Sequence, residues 1–143
     1  MNSQDVEWLK GVFHKGKLFS DLSDKEISEV INHMERVNFS SGDVIFKEGD
    51  EGDWFFIVLQ GKVKVTRKKG WFKDQAIAEL GPEDFFGEMA LFENEARAAT
   101  LKAVEDTSCF VLFKNNFKMQ AEKHPLFKQE IEKLIGQRKR GID

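Results

Sequence analysis

Glu88 and Arg97 are the charged residues whose setting points most directly to chemistry. The chain around them reads Asp84-Phe85-Phe86-Gly87-Glu88-Met89-Ala90-Leu91-Phe92-Glu93-Asn94-Glu95-Ala96-Arg97-Ala98-Ala99-Thr100. Gly87 lets the backbone approach a bound group closely, or take a conformation closed to other residues. A helix starting just after it would turn free backbone N–H groups toward an anion. Arg97 then supplies a permanent positive charge and a planar fork of donors. Together these describe a socket for a small phosphate. The plainer reading is a structural Glu88–Arg97 ion pair, which when buried gives no assured stability. Against that, a lone arginine among Ala96, Ala98 and Ala99 has little other reason to sit on a strand.

Little else in the chain reads as reactive. His14, His33 and His124 fall in helical or flanking segments, whereas a metal site on strands would need histidines clustered with carboxylates. No Ser/His/Asp or Cys/His arrangement follows from the spacing. The Gly-x-x-x-x-Gly-Lys-Ser/Thr loop of a triphosphate site is absent. Cys109 is the single cysteine; its neighbours Phe110, Val111 and Leu112 mark it as a buried core thiol. The expectation is a binding module rather than an enzyme, with no catalytic residue, metal or cofactor.

The elements that must position the socket follow from periodicity. Val6, Leu9, Val12 and Phe13 fall on one face of a first helix, with Gly16 as a stop. Ser23-Asp24-Lys25-Glu26 has the form of a capping box, followed by Ile27, Val30, Ile31 and Met34 at helical spacing. Leu18, Phe19 and Leu22 precede it and can pin it to the core. From Val37 glycines punctuate short segments rich in Val, Ile and Phe: Val44-Ile45-Phe46, Trp54 to Leu59, Val63 to Thr66 and Ala76 to Leu80. Such spacing predicts a closed or double-sheet antiparallel barrel. Val63/Lys64/Val65 and Ala76/Ile77/Ala78/Glu79 alternate as strands with one wet face do. Lys68-Lys69-Gly70-Trp71 reads as a hairpin tip, and Arg67, Lys68 and Lys69 as a solvated loop.

After the central stretch, Thr100 to Ala103 alternates and Cys109 to Phe113 reads as a buried closing strand. Asn115 or Asn116 is the expected cap of a helix carrying Phe117 and Met119, which must stop before Pro125. Pro125 opens a last helix with Phe127, Ile131, Leu134 and Ile135 on one face. Lys133, Arg138, Lys139 and Arg140 crowd its end, where cations suit the helix dipole. The division expected is 1–36 helical, 37–113 barrel with the socket at 86–100, and 114–143 helical, all one domain.

Composition agrees with a globular domain. The 143 residues are 41% hydrophobic and 33% charged, enough for a proper core without the signature of disorder. A net charge of -3 argues against a general nucleic-acid binder. No apolar run approaches membrane-spanning length, and the first residues lack a secretory pattern. The expected location is cytoplasmic, with neither nucleic acid nor membrane as partner.

With these residues in view, the chain resembles the cyclic nucleotide-binding domain, most closely the modules of the regulatory subunits of cyclic-AMP-dependent protein kinase. The resemblance runs from residue 18 to about 134. It rests on Leu18-Phe19-Ser20-Asp21-Leu22, on Gly42 to Asp50, and above all on Phe86-Gly87-Glu88-Met89-Ala90-Leu91 with Arg97-Ala98-Ala99-Thr100. It implies a mainly β fold, an eight-stranded β-roll of the jelly-roll type, with flanking helices and a short helix in the phosphate-binding cassette. The ligand implied is cyclic AMP, or cyclic GMP.

By the same resemblance Glu88 receives the ribose 2′-hydroxyl and Arg97 pairs with the cyclic phosphate. Gly87, Met89, Ala90 and Ala98 give backbone N–H groups, beside Ala99; Val65, Leu80 and Phe86 form an apolar wall against the base. Ala98 stands where members preferring cyclic GMP often carry threonine, so cyclic AMP is expected. Phe127, Ile131, Leu134, Ile135 or Arg138 would cap the base. Glu83 stands where many members have glycine, and Ala96 where proline often precedes the arginine. A regulatory sensor relaying through its C-terminal helices is expected, with a protein effector or a second copy as candidate partner of the last helix. A domain that keeps the fold without responding, or takes another nucleoside, is the alternative.

Overall fold

The computed structural model describes residues 1–15, 22–52, 54–71, 73–87 and 96–138. Two helices, α1 (Ser3–Lys15) and α2 (Asp24–Asn32), lead into the strands β1 (Glu35–Phe39), β2 (Val44–Phe46), β3 (Trp54–Gln60), β4 (Val63–Lys69), β5 (Lys73–Leu80), β6 (Phe85–Phe86), β7 (Thr100–Ala103) and β8 (Thr107–Phe113). Helices α3 (Lys114–Lys123) and α4 (Pro125–Arg138) close the chain. The cassette helix expected between Glu88 and Glu95, and Gly16, Leu18 and Phe19, lie outside the described residues.

Both N-terminal helices start where their side chains can serve orphan amides. Asn2 and Asp5 exchange side-chain-to-backbone hydrogen bonds at the head of α1, 2.9 and 3.1 Å. Ser23 and Glu26 complete the expected capping box on α2. The Ser23 backbone N–H holds the Glu26 carboxyl below the usual carboxylate range, against a modest penalty of burial, with smaller help from the Ser23 hydroxyl and from His124.

The strands form two antiparallel four-stranded sheets, ordered β1-β8-β3-β6 and β2-β7-β4-β5. The eight-stranded β-roll is the fold expected. β3 and β8 pair along most of their length and are buried on both faces. Phe55, Ile57, Phe110 and Leu112 point to α1, α2 and α3; Phe56, Val58, Cys109 and Val111 point into the roll. A sheet covered on both sides explains why those segments are continuous apolar runs rather than alternating ones. Burial pushes the Cys109 thiol up to about 12, so it stays a neutral packing group.

Three local expectations need correction. Lys68 and Lys69 belong to β4, not to the turn, and β5 starts at Lys73, so the hairpin is longer than its apolar core. Ala76 to Glu79 does not alternate: Ala76 and Glu79 are exposed, with Ile77 and Ala78 half-buried, because a register shift against Val65/Thr66 interrupts the pleat. Neither Asn115 nor Asn116 caps α3. Phe113, the last residue of β8, occupies the cap position without a side-chain hydrogen bond, and both asparagines lie inside the helix. The stop before Pro125 and the start of α4 at that residue are as expected.

Candidate functional site

The socket is built first from tight turns. At 40–43, 47–50 and 81–84 the fourth residue is an aspartate whose backbone N–H donates to the first residue's carbonyl, at 2.9, 3.0 and 3.1 Å. In each, that aspartate's Oδ2 accepts from the first residue's N–H, at 2.8, 3.0 and 2.8 Å. The third residue takes a left-handed φ: 92° at Gly42, 91° at Gly49 and 76° at Glu83. In the last turn Pro82 pre-sets the second position, as in a type II turn. The Lys15 ammonium reaches the Glu83 carboxylate at 2.5 Å, tying the end of α1 to this turn.

The 47–50 turn holds Arg97. Gly49 N–H donates to the Arg97 carbonyl at 2.8 Å, and Arg97 N–H donates to the Asp50 carbonyl at 2.7 Å. Thr100 Oγ1 accepts from Glu48 N–H at 2.9 Å. The main chain of the arginine is therefore fixed from the opposite loop, and only its side chain is left to choose a direction.

That side chain goes inward. Arg97 is 3% exposed. Its Nη1 donates to the Gly87 carbonyl at 3.1 Å and its Nη2 to the Trp54 carbonyl at 2.5 Å. The guanidinium carbon lies 4.2 Å from the centre of the Phe46 ring, a cation–π contact that strengthens as water is removed. Phe46 itself packs on Phe56 and Phe86, with ring centres 6.2 and 5.7 Å away. Trp54 stacks on Phe39 at 6.1 Å.

Gly87 is indispensable to this seat. Its φ is 95°, and a Cβ there would lie 2.7 Å from Arg97 Nη1 and 2.8 Å from the Trp54 carbonyl oxygen. The glycine serves both uses named for it: an unusual backbone conformation and a close approach.

Of the expected site residues, Phe86, Gly87 and Arg97 meet in this seat. Val65 and Leu80 are buried in the same apolar cluster as Phe46, Phe56, Phe86 and Ala99. Ala98 is exposed, and its carbonyl accepts from Arg67 Nε at 3.0 Å. Glu88, Met89 and Ala90 lie outside the described residues. So do the side chains of Phe127, Ile131, Leu134, Ile135 and Arg138. Sequence reading missed Phe46, the Trp54 carbonyl and Arg67. A backbone carbonyl carries no signature in residue type, but an aromatic next to a predicted strand end was available as a signal at Phe46.

A separate open groove of about 380 Å³ is lined by Arg36, Asn38, Ser40, Gln60, Asp106 and Thr107, among others. Its main polar groups are engaged: Arg36 with Asp5 at 3.5 Å, Asn38 with Ser108 at 2.7 Å, Asp106 with Ser41 N–H at 2.9 Å. Arg97 is not part of it, and the aromatic seat is the better site.

Polar contacts at the joint of the C-terminal helices tie them to the N-terminal ones. His124, between α3 and α4, places Nε2 2.7 Å from Glu29 Oε2 and Nδ1 3.3 Å from Glu26 Oε2, both on α2.

The profile of the family described as "Cyclic nucleotide-binding domain" matches residues 36–124. The chain belongs to this family. It is 40% identical over 116 residues to a cAMP-dependent protein kinase regulatory subunit of Dictyostelium discoideum, covering 72% of this chain and 36% of that one. It is 32% identical over 126 residues to the cyclic AMP receptor protein of Thermus thermophilus, covering 88% and 58%. Among solved structures, a cyclic nucleotide-binding domain from Methylobacillus flagellatus superimposes with a TM-score of 0.81 at 26% identity, covering 96% of this chain and 79% of that one. The chain thus spans about a third to a little over half the length of these two curated relatives. The cyclic nucleotide-binding domain is a regulatory, ligand-binding module and is not itself catalytic. No helix among the described residues is long and apolar enough to cross a membrane.

Proposed function

We propose that this cyclic nucleotide-binding domain takes cyclic AMP in preference to cyclic GMP and relays its binding through movement of α3 and α4. One observation carries the reading: a guanidinium held almost entirely out of water beside a glycine that alone permits its seat. A cyclic phosphodiester bears one negative charge, which a buried arginine and a few backbone N–H groups can neutralise. In this reading Arg97 pairs with the phosphate, Glu88 accepts the ribose 2′-hydroxyl, and Gly87, Met89, Ala90 and Ala98 donate from the backbone. Ala99 packs beneath them, and Val65, Leu80 and Phe86 line the base. Ala98 has no hydroxyl for a guanine amino group, and both curated relatives described above carry cyclic AMP in their names.

For the relay, Phe113 and Leu126 are 42% and 43% exposed on the C-terminal segment, apolar surface that a repositioned helix can cover. Ligand can shift those helices only by binding one arrangement more tightly than the other. The His124 joint is where the two arrangements would differ. The effector, or a second copy, would meet α4.

Titration calorimetry of the whole chain with each nucleotide tests this. Cyclic AMP is expected to bind more tightly, and Arg97→Ala to lose about 10- to 150-fold in affinity, the equivalent of a charge-assisted hydrogen bond of about 1.5–3 kcal/mol. Retained affinity in that variant would place the phosphate elsewhere. Tighter cyclic GMP would overturn the specificity. Silence toward both nucleotides at high micromolar concentration would leave a scaffold domain that keeps the fold without responding.

A further inference from the structure

The β4–β5 hairpin extends beyond the sheet that carries it. β7 pairs with β4 only at residues 63–66, whereas β4 and β5 stay paired to Lys69 and Lys73. Past Thr66 the two strands form a free ribbon, and all of residues 73–76 are exposed. The ribbon is rooted at its base, where Arg67 Nε donates to the Ala98 carbonyl and Lys68 N–H to Glu48 Oε1, 2.9 Å. At its tip Gly70 turns with φ 72°, with open space where a Cβ would be. Trp71, next in line, is 94% exposed, far beyond any other large apolar residue described.

Two features of the tip cost stability and so call for a reason. A fully wet indole forgoes the burial that normally places tryptophan inside or half inside. Cross-strand pairs on this hairpin also change character along its length. Lys64 faces Glu79 and Lys68 faces Asp74, but Lys69 faces Lys73 directly. Like charges directly opposite one another are unfavourable. Lys69 and Lys73 thus flank the turn that carries the tryptophan, with Lys68 one residue further back, in a chain whose net charge is -3.

We propose that this tip is a docking point for a membrane surface carrying anionic phospholipid. Tryptophan settles at the headgroup level with its ring in the apolar boundary, and each nearby lysine gains from a negative leaflet. A protein partner fits less well. A specific protein interface buries some 800 Å² per side, and the described residues of this two-stranded tip offer one aromatic, Trp71. A bilayer needs only an inserted side chain and adjacent cations. The acidic body would be repelled by the same surface, which orients the domain tip-first. This departs from the reading of the cluster as a solvated loop and from the expectation of no membrane partner, and it stands independently of nucleotide binding.

Co-sedimentation of the whole chain with phosphatidylcholine vesicles, with and without phosphatidylglycerol, tests the proposal, with tryptophan fluorescence as second readout. Binding is expected only to the anionic vesicles, to weaken with salt, and to shift the emission to the blue. Trp71→Ser should abolish the shift, since Trp8 and Trp54 are already half-buried. Replacing Lys69 and Lys73 together by alanine should cost about 25-fold in partitioning, roughly fivefold for each cation. No binding to anionic vesicles overturns the proposal, as does binding that neither variant changes. Binding to polyglutamate in place of vesicles would assign the tip to an acidic protein and overturn it equally.

Discussion

The turns at 40–43 and 47–50 place glycine at their left-handed third position, and the turn at 81–84 places Glu83 there. The aspartate clasp is the same in all three, so the comparison isolates one residue. A left-handed φ costs a residue with a Cβ about 1–2 kcal/mol. The two glycine turns are relaxed. The third is strained, and it is the one that delivers the chain into β6 and Gly87. Strain kept beside a binding site is a recurrent feature of sites that change conformation. Here the Lys15 ion pair partly offsets it, and only weakly, because the lysine is largely exposed.

The largest expected effect comes where a left-handed φ coincides with close neighbours. Gly87→Ala should destabilise by about 2–4 kcal/mol and lose nucleotide affinity, because the new Cβ meets both the Arg97 guanidinium and the Trp54 carbonyl. Denaturant unfolding and calorimetry would check it; an unchanged midpoint would mean the seat is slack. Gly49→Ala separates the backbone term from crowding, since nothing lies within 4 Å of that Cβ. A loss of about 1–2 kcal/mol is expected, and a larger one would show that the Gly49–Arg97 hydrogen bond fails with it.

The smallest effect has the opposite sign. Glu83→Gly should gain up to about 1 kcal/mol, a rise of a few degrees in Tm. A fall in Tm would mean that the Lys15 contact outweighs the backbone relief, and the comparison among the turns would lose its point.

These turns also show how far residue types carry. Gly42 and Gly49 advertise their turns, and Pro82 advertises the third; that Glu83 must be left-handed follows only once the aspartate clasp is seen. The apolar runs of β3 and β8 were legible because they are short and rich in aromatic and β-branched residues, with glycines flanking β3. The outer half of the β4–β5 ribbon was not, since its lysines carry no apolar period and its strand pairing is with itself. The start of α3 was misplaced for a similar reason: asparagines are common caps, but β8 enters the helix directly and needs none.

At the site, Arg97 and Gly87 stood out by charge and by lack of a side chain. Their meeting depends on the carbonyl of Trp54, distant in sequence and silent in residue identity. Phe46 beneath the guanidinium was hidden among other core phenylalanines.

The direct passage from β8 into α3 bears on how force travels. β8 is an inner strand, hydrogen-bonded to β1 on one side and β3 on the other, and no flexible residues separate it from the helix. A pull on α3 is therefore borne at once by two ladders in the middle of a sheet, not by a loop that could stretch. A displacement of α3 would pivot at Phe113 and release the His124 contacts to α2, and anything pulling on the helix would feel the roll as a rigid mount.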